Sequence, residues 1–250
     1  MDTFNAVNFY NKISDKYHWF FSSWDNVMTK QADIITPYFK KYNVKSVLDC
    51  SCGSGLQAIA LAKQGYSVDA GDISEKMILK AKALAQEQKI EVDFKVSDFR
   101  FLENNFNREY DAVISWGNSL PHLMNELDIT TALKSIFCRL KSNGIALLNM
   151  RNYDMMLKEK NRFHPMRIND VKEGKRYSII YVFDYLANVI RFNIIYLIED
   201  METGKRHMET ESVDYNPITK TDLIFKLKNV GFRNVTTDEN AGEITYLCEK

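Results

Sequence analysis

The fold is decided by one stretch of sequence, VKSVLDCSCGSGLQAIALAKQGYSVDAGDIS, which runs from Val44 to Ser74. An apolar run reaches Asp49, a turn follows with Gly53 and Gly55, and a helix-like segment leads to a second apolar run that ends in Asp72. Glycines at a strand-to-helix turn let a ligand approach the backbone closely, and the free amides of the helix attract negative charge. The stretch therefore predicts a strand, a ligand-binding turn, a helix and a second strand.

The same alternation continues along the chain and predicts an α/β fold. Strands are predicted over residues 47–50, 67–72, 92–96, 112–116 and 145–150, and helices over 56–63, from Ser74 to about residue 88, and over 129–140. Strands and helices in alternation predict a mostly parallel sheet with helices on both faces. In such a sheet the ligand site lies at the carboxyl ends of the strands.

The whole chain, residues 1–250, is interpreted as one domain with four parts. These are an aromatic-rich N-terminal helical cap over 1–43, a cofactor-binding core over 44–154, an antiparallel insertion over 155–215 that serves as substrate lid, and a closing helix and strands over 216–250. Within the insertion, YSIIYVFDYLANVIRFNIIYLIED is interrupted by charged and amide side chains, which a bilayer would penalise. Its break at residues 186–188 favours two antiparallel strands.

Composition limits the kinds of partner. The chain has 33 Lys plus Arg and 33 Asp plus Glu, so no net charge draws it to nucleic acid or to an anionic membrane. Its four cysteines (Cys50, Cys52, Cys138 and Cys248) have neither disulfide nor zinc spacing, and we expect no metal. The N terminus lacks a basic segment followed by an apolar one, which favours a cytoplasmic protein.

Asp49 distinguishes between two ligands that a glycine turn can hold. A nicotinamide dinucleotide carries a pyrophosphate, which a nearby carboxylate repels. S-adenosylmethionine carries an ammonium, a sulfonium and a single carboxylate, so an acid beside the turn suits it. Asp72 is expected to accept from ribose hydroxyls with either ligand, whereas Asp98, after the third strand, is placed to accept from the adenine amine. The pattern favours S-adenosylmethionine, with S-adenosylhomocysteine as product.

Several segments resemble class I S-adenosylmethionine-dependent methyltransferases. They are VLDCSCGSG, DIS, SDFRFL and YDAVISWGNSLPHL. The segments WGNSLPHL and NMRNYD are further similar to the glycine and sarcosine N-methyltransferase family, and the resemblance extends to EITYLCEK. It implies a Rossmann-like sheet of seven strands. It also implies that the cofactor is bound by Tyr17, Lys30, Asp49, Gly53, Gly55, Asp72, Ile73, Asp98, Phe99 and Trp116.

The resemblance also implies a substrate site. In the family, the arginine of the RNYD segment binds the carboxylate of the amino-acid substrate, and this position is Arg151 here. Asn118 and His122 occupy the substrate-side segment after the fourth strand, and Tyr153 stands with Tyr17 and Tyr215 among the tyrosines expected around the amine. A guanidinium matches a carboxylate in shape and charge.

One position departs from the family. An arginine that holds the cofactor carboxylate usually lies before the first strand, but WDNVMTKQAD offers only Lys30. Either Lys30 replaces that arginine or the contact is lost.

Several alternatives remain open. The acceptor atom could be an oxygen, a sulfur or another amine. The fold could serve an NAD-dependent oxidoreductase or a regulator that senses the cofactor. A base-modifying enzyme is disfavoured because the segment after the fourth strand is WGNSLPHL and not Asn-Pro-Pro-aromatic. The lid and the aromatic N terminus are also candidates for a subunit contact, which leaves a homo-oligomer open.

Overall fold

The computed structural model describes residues 6–21 and 23–250, without the side chain of Asp25. Residues 1–5 and 22, which belong to the expected helical cap over 1–43, lie outside the described residues. The rest of that segment contains helix α1 (Ala6–Ile13), a 3₁₀ helix (Ser14–Phe20) and helix α2 (Trp24–Lys41). No helix in the described part of the chain is long and apolar enough to cross a membrane.

A seven-stranded sheet forms the centre of the fold. Its strands are β1 (Ser46–Asp49), β2 (Ser67–Asp72), β3 (Asp93–Val96), β4 (Tyr110–Ser115), β5 (Leu140–Arg151), β10 (Arg233–Asn240) and β11 (Glu243–Glu249). Their order is β10-β11-β5-β4-β1-β2-β3. The first five strands pair in parallel, and β11 joins β5 and β10 in antiparallel fashion. The predicted α/β class with a mostly parallel sheet is confirmed.

Helices connect the strands and cover both faces of the sheet. They are α3 (Leu56–Lys63), α4 (Glu75–Glu87), α5 (Glu126–Cys138), α6 (Tyr153–Glu159) and α7 (Lys220–Val230). Ser74 caps α4 through its hydroxyl, which accepts from the amide of Met77 at 3.2 Å. Gly231 ends α7 in the left-handed conformation, at φ +119°. The predicted start of α4 at Ser74 is confirmed.

A second, four-stranded antiparallel sheet lies within the stretch expected to be the insertion. It consists of β6 (Phe163–Lys172), β7 (Lys175–Tyr185), β8 (Ile190–Asp200) and β9 (Arg206–Tyr215), paired in sequence order. The predicted hairpin with its break at 186–188 corresponds to β7 and β8. The prediction gave no bounds for β10, which lies in the segment expected to hold the closing strands, and placed the start of β5 at 145 instead of 140, because exposed polar residues interrupt the apolar pattern there.

The apolar residues form one cluster on each face of the central sheet. Leu48 of β1 belongs to a cluster that also contains α5, α7 and the inward face of the second sheet. The adjacent Val47 belongs to the other cluster, with α2, α3 and most of α4. Because successive strand residues point to opposite faces, the central sheet separates these two clusters. The second sheet packs only against the cluster that contains Leu48.

Candidate active site

Three acidic residues stand in a row at the carboxyl edge of the central sheet. Asp49 ends β1, Asp72 ends β2, and Asp98 follows β3, and these three strands are neighbours in that order. A backbone hydrogen bond from the amide of Ser97 to the carbonyl of Asp72, 2.9 Å long, joins the last two strand ends. The order of the three acids matches an elongated ligand lying along the edge.

The glycine turn between β1 and α3 has little room for side chains. Gly53 and Gly55 have φ values of +53° and +84°, which glycine adopts without steric cost. A Cβ at Gly55 would lie 3.0 Å from Cβ of Ala81 and from Cζ of Phe94. At Gly53 the nearest group to such a Cβ is the Tyr17 hydroxyl, at 3.9 Å. The N-terminal segment therefore reaches over the turn.

Asp49 is fully buried beside this turn, and one of its oxygens is unpaired. Oδ1 accepts weakly from the amide of Ser51, at 3.4 Å, while Oδ2 is buried with no hydrogen-bond partner among the described residues. Burial, together with the nearby charge of Asp72, raises the pKa of Asp49 to about 8. The raised pKa favours the protonated form of this carboxyl near neutral pH, and the expectation that its negative charge selects the ligand stays a prediction.

Asp72 fixes the geometry of the turn. Its Oδ2 accepts from the amide of Gly53 at 2.8 Å, and its Oδ1 accepts from the amide of Ser74 at 2.9 Å. Burial raises the pKa of Asp72, and these two amide donors oppose that rise. Ile73, half-buried, stands between Asp72 and the cap of α4. The carboxylate thus links β2 to the turn that follows β1.

Asp98 begins a short 3₁₀ helix, Phe99–Asn104, and is paired with Arg100. Nε of Arg100 lies 3.1 and 3.0 Å from the two carboxylate oxygens, and the backbone amide of Arg100 donates to Oδ1 at 2.9 Å. The side chain of Asp98 is still 22% exposed. Phe99 is half-buried and packs against the cluster that includes the second sheet.

Arg151 ends β5, and its guanidinium lies among aromatic rings. The guanidinium carbon is 5.4 Å from the ring centre of Phe183, 5.0 Å from that of Phe192 and 5.4 Å from that of Tyr215. All three rings are buried and belong to the second sheet. Nη1 of Arg151 is buried with no hydrogen-bond partner among the described residues. This donor is available to an acceptor on a bound ligand.

Asn118 positions both Arg151 and Tyr153. Its Oδ1 accepts from the backbone amide of Arg151 at 3.0 Å and from the hydroxyl of Tyr153 at 3.2 Å. Its own φ is +75°, a left-handed conformation that asparagine tolerates better than most residues. Its Nδ2 is buried without a partner in the described chain, so a second unused donor lies near Arg151.

His122 stands between the N-terminal segment and the second sheet. Its Nε2 lies 3.1 Å from the hydroxyl of Tyr10, and its ring centre is 4.8 Å from that of Tyr215. Burial, with the charge of Arg151, lowers the pKa of His122 to about 3. The imidazole is therefore neutral at physiological pH.

The N-terminal residues 6–21, called the strap below, close the site from above. Asn11 accepts from the hydroxyl of Ser74 at 2.7 Å, and the ring of Trp19 stacks on Tyr177 at 4.5 Å. Burial raises the pKa of the Tyr17 hydroxyl well above its usual value, so Tyr17 is neutral. The strap thus bridges the cofactor side and the second sheet.

The residues present fit S-adenosylmethionine on the cofactor side. The unpaired Oδ2 of Asp49 offers an acceptor for a cationic group, and the missing Cβ of Gly53 leaves space beneath the Tyr17 hydroxyl. The described residues contain no group of three or more His, Cys, Asp or Glu side chains placed to hold a metal ion.

The comparisons with known proteins found similarity to methyltransferases. A family model described as a methyltransferase domain matches residues 47–144. The glycine/sarcosine N-methyltransferase of Parasynechococcus marenigrum (strain WH8102) is 35% identical over 134 residues, which cover 54% of this chain and 48% of that protein. The corresponding enzyme of Aphanothece halophytica is 29% identical over 227 residues, covering 87% of this chain and 80% of that protein.

A solved structure shows the same fold over nearly the whole chain. An S-adenosylmethionine-dependent methyltransferase from Clostridium acetobutylicum ATCC 824 superposes with a TM-score of 0.74 at 19% identity, covering 98% of this chain and 99% of that one. The chain is similar in fold to that S-adenosylmethionine-dependent methyltransferase, and residues 47–144 match the methyltransferase domain family. Its sequence is further similar to the glycine/sarcosine N-methyltransferases, and it spans only about half the length of the first of these relatives.

Two of the expected cofactor residues, Lys30 and Trp116, lie outside the strands that end in or precede the three acids. Lys30 is exposed on α2, and Trp116, 8% exposed, is packed in the cluster with α2 and α3. Their assignments to the cofactor remain predictions. Neither residue contacts the glycine turn through a hydrogen bond recorded for the described residues.

Sequence reasoning did not assign four residues that line the methyltransferase site. They are Tyr10 of the strap and Tyr181, Phe183 and Phe192 of the second sheet. Burial raises the pKa of Tyr181 to about 12, with the Arg151 charge opposing. The signal available in the sequence was the alternation of aromatic residues on β7, since residues 177, 179, 181 and 183 share one face. Sequence alone did not show that this face of β7 points toward Arg151, because that depends on how the second sheet packs against the central sheet.

Proposed function

We propose that this methyltransferase transfers a methyl group from S-adenosylmethionine to the amine of a small substrate that carries a carboxylate, of the glycine or sarcosine type. Arg151 carries the proposal. Its Nη1 is a buried donor without a partner in the described part of the chain, and three aromatic rings surround the guanidinium. A buried charge with no counterion is costly, so an anionic substrate group is the natural partner.

The neighbours of Arg151 favour a planar anion as the group that it binds. The unused Nδ2 of Asn118 is a second buried donor, and Asn118 is itself fixed to the backbone of Arg151. Two buried donors are thus available for the two oxygens of one carboxylate. The relatives named glycine/sarcosine N-methyltransferases act on substrates of that chemistry.

The chain contributes to catalysis mainly by positioning and by excluding water. Bound S-adenosylmethionine supplies a methyl group on a sulfonium, which is electrophilic without acid catalysis. Arg151 would fix the carboxylate end of the acceptor and so leave its amine facing the cofactor edge. Fixing two reactants in a suitable geometry provides a large part of a rate enhancement, and the buried rings of the second sheet keep the site dry.

The neutral groups around the amine also fit this reaction. An amine must be uncharged to attack, and a carboxylate beside it would favour the ammonium form. On the substrate side, His122 is neutral, and Tyr10 and Tyr153 are neutral because burial raises the pKa of each hydroxyl. These groups can orient an uncharged amine by hydrogen bonds without stabilising its protonated form.

The test compares acceptors with and without a carboxylate. Wild-type protein is incubated with S-adenosylmethionine and glycine, sarcosine, dimethylglycine, ethanolamine or methylamine, and products are detected by mass spectrometry. Arg151→Ala is expected to raise the KM for the carboxylate-bearing acceptor by roughly a hundredfold or more, from the loss of a charged pair. Its affinity for S-adenosylhomocysteine should stay within about twofold of wild type.

The matched control is Arg176→Ala. Arg176 lies on β7 of the second sheet and pairs with Glu199, its Nη1 2.8 Å from Oε2 of that residue, and its loss should leave KM unchanged. Preference for methylamine or ethanolamine over every amino acid, or an unchanged KM in Arg151→Ala, would overturn the proposal.

A further inference from the structure

Arg100 holds the carboxylate of Asp98 with three N–H donors. The backbone amide donates to Oδ1 at 2.9 Å, Nη2 donates to Oδ2 at 2.5 Å, and Nε is shared between both oxygens. These contacts fix the plane of the carboxylate. A carboxylate accepts about four hydrogen bonds, so one acceptor position remains.

The remaining position is accessible to a ligand at the sheet edge. Asp98 is third in the row that begins with Asp49 and continues with Asp72, and 22% of its side chain is exposed. Along S-adenosylmethionine the amino acid, the ribose and the adenine follow one another in the same sequence. The exposed acceptor of Asp98 therefore stands at the adenine end of the edge.

Arg100 is anchored from the opposite side by α5. Its Nη1 lies 2.9 Å from Oδ1 of Asp128, in the first turn of that helix. The other oxygen of Asp128 accepts from Nδ2 of Asn125 at 2.9 Å, and Oδ1 of Asn125 in turn accepts from the amide of Asp128. The guanidinium is thus bonded on two sides and has little rotational freedom.

We infer that Arg100 is a positioning residue for the adenine ring. It orients Asp98 so that the free acceptor receives the exocyclic amine, and it thereby makes the methyltransferase selective for adenosine over 6-oxo nucleosides. The inference rests on the proposed use of S-adenosylmethionine. A 6-oxo ring presents an acceptor where the amine would be, and two acceptors facing each other leave both unpaired.

The experiment measures the binding of S-adenosylhomocysteine and of S-inosylhomocysteine by calorimetry. S-inosylhomocysteine differs in having an oxygen in place of the 6-amino group. Wild type is expected to prefer the adenosyl compound by roughly ten- to a hundredfold, the range for a hydrogen bond to a charged group. Arg100→Gln should reduce the ratio of the two affinities at least about fivefold. Arg100→Lys should also reduce it, because lysine keeps the charge but lacks the planar fork.

Two further variants separate positioning from stability. Asp98→Asn is expected to narrow or reverse the preference, because an amide can donate to the 6-oxo group. Lys226→Gln removes an ion pair to Glu126, also in the first turn of α5, without touching Asp98, and should leave the ratio as in wild type.

The outcomes distinguish the two proposals. If wild type binds neither compound, the cofactor assignment itself is wrong. If wild type prefers the adenosyl compound but Arg100→Gln and Arg100→Lys weaken both compounds by the same factor, Arg100 is merely structural and the inference fails. A reduced ratio in both variants, with the Lys226→Gln ratio unchanged, supports it.

Discussion

The hydroxyl of Tyr10 lies 3.1 Å from Nε2 of His122, so the strap makes a hydrogen bond to the loop that follows β4. Nδ1 of the same ring is buried without a partner in the described residues. The imidazole is held neutral by burial, which lowers its pKa to about 3. The pair therefore orients a neutral ring toward the substrate side and does not provide a proton acceptor near pH 7.

This arrangement predicts that His122 produces no bend in the pH dependence of kcat/KM between pH 5.5 and 7.5. His122→Asn should lower activity, because the bond to Tyr10 is weakened, but should leave the apparent pKa values of the profile in place. Initial rates across that range for both proteins provide the check. A bend near the usual histidine pKa of about 6.5 that disappears in His122→Asn would contradict it.

The raised pKa of Asp49 predicts that cofactor binding releases a proton. Its pKa is about 8 without ligand, and a cationic group at the unpaired Oδ2 would favour the ionised form. Affinity for S-adenosylhomocysteine should therefore rise by up to about tenfold per pH unit below pH 8 and level off above it. Calorimetry at pH 7 in two buffers of different ionisation enthalpy measures the proton. Methylthioadenosine, which lacks the ammonium, should release none.

The same shift predicts how Asp49 affects stability. The folded pKa lies above the unfolded value of about 3.9, so the folded state binds more protons between those values and loses stability as pH rises from about 4 to 8. Asp49→Asn removes this loss and should raise the thermal midpoint of the ligand-free protein at pH 8 more than at pH 5. Equal changes at both pH values would show that Asp49 is not protonated.

Gly55 is predicted to be the more sensitive of two left-handed glycines. Gly55→Ala places a Cβ 3.0 Å from Ala81 and Phe94 at φ +84°, and should destabilise by about 2–4 kcal/mol from backbone strain and overpacking. Gly65 has φ +89° with nothing within 4 Å of its Cβ position, so Gly65→Ala should cost only about 1–2 kcal/mol. Denaturant unfolding of the two variants tests the difference, and equal losses would count against the crowding at Gly55.

The strap is predicted to control ligand release through charges. Lys12 pairs with Glu211 at 3.2 Å, and Lys16 pairs with Glu209, both on β9. The double variant Glu209→Lys/Glu211→Lys should speed dissociation of S-adenosylhomocysteine by about three- to tenfold, and salt should speed it in wild type. Stopped-flow displacement measures the rate. Adding Lys12→Glu and Lys16→Glu to this double variant should restore slow release. If it does not, the faster release is not caused by the loss of the ion pairs.

The central sheet could be predicted because its pattern is local. The run from residue 44 to 74 contains complete strands, a glycine turn and the serine cap of α4, and each is determined by residues close in sequence. The order of Asp49, Asp72 and Asp98 along the edge followed from the parallel topology. Placement of Arg151 at the end of β5 was predictable for the same reason.

The rest depended on contacts between distant residues. Nothing local indicates that Phe183 and Phe192 surround Arg151, or that Arg100 holds Asp98 against α5. The raised pKa of Asp49 could not be predicted either, because burial, which sequence does not give, changes which form of a carboxyl is favoured. Sequence thus located the acidic side chains but not their environments.

The side chain of Arg151 originates in one sheet and ends among the rings of the other, and a single apolar cluster joins both sheets. The second sheet therefore cannot separate from the first without exposing that cluster, and amide protons of β5 and β8 should exchange with solvent in one cooperative step. Local opening that admits ligands is then confined to the strap, whose attachment to β9 is made of ion pairs near the surface.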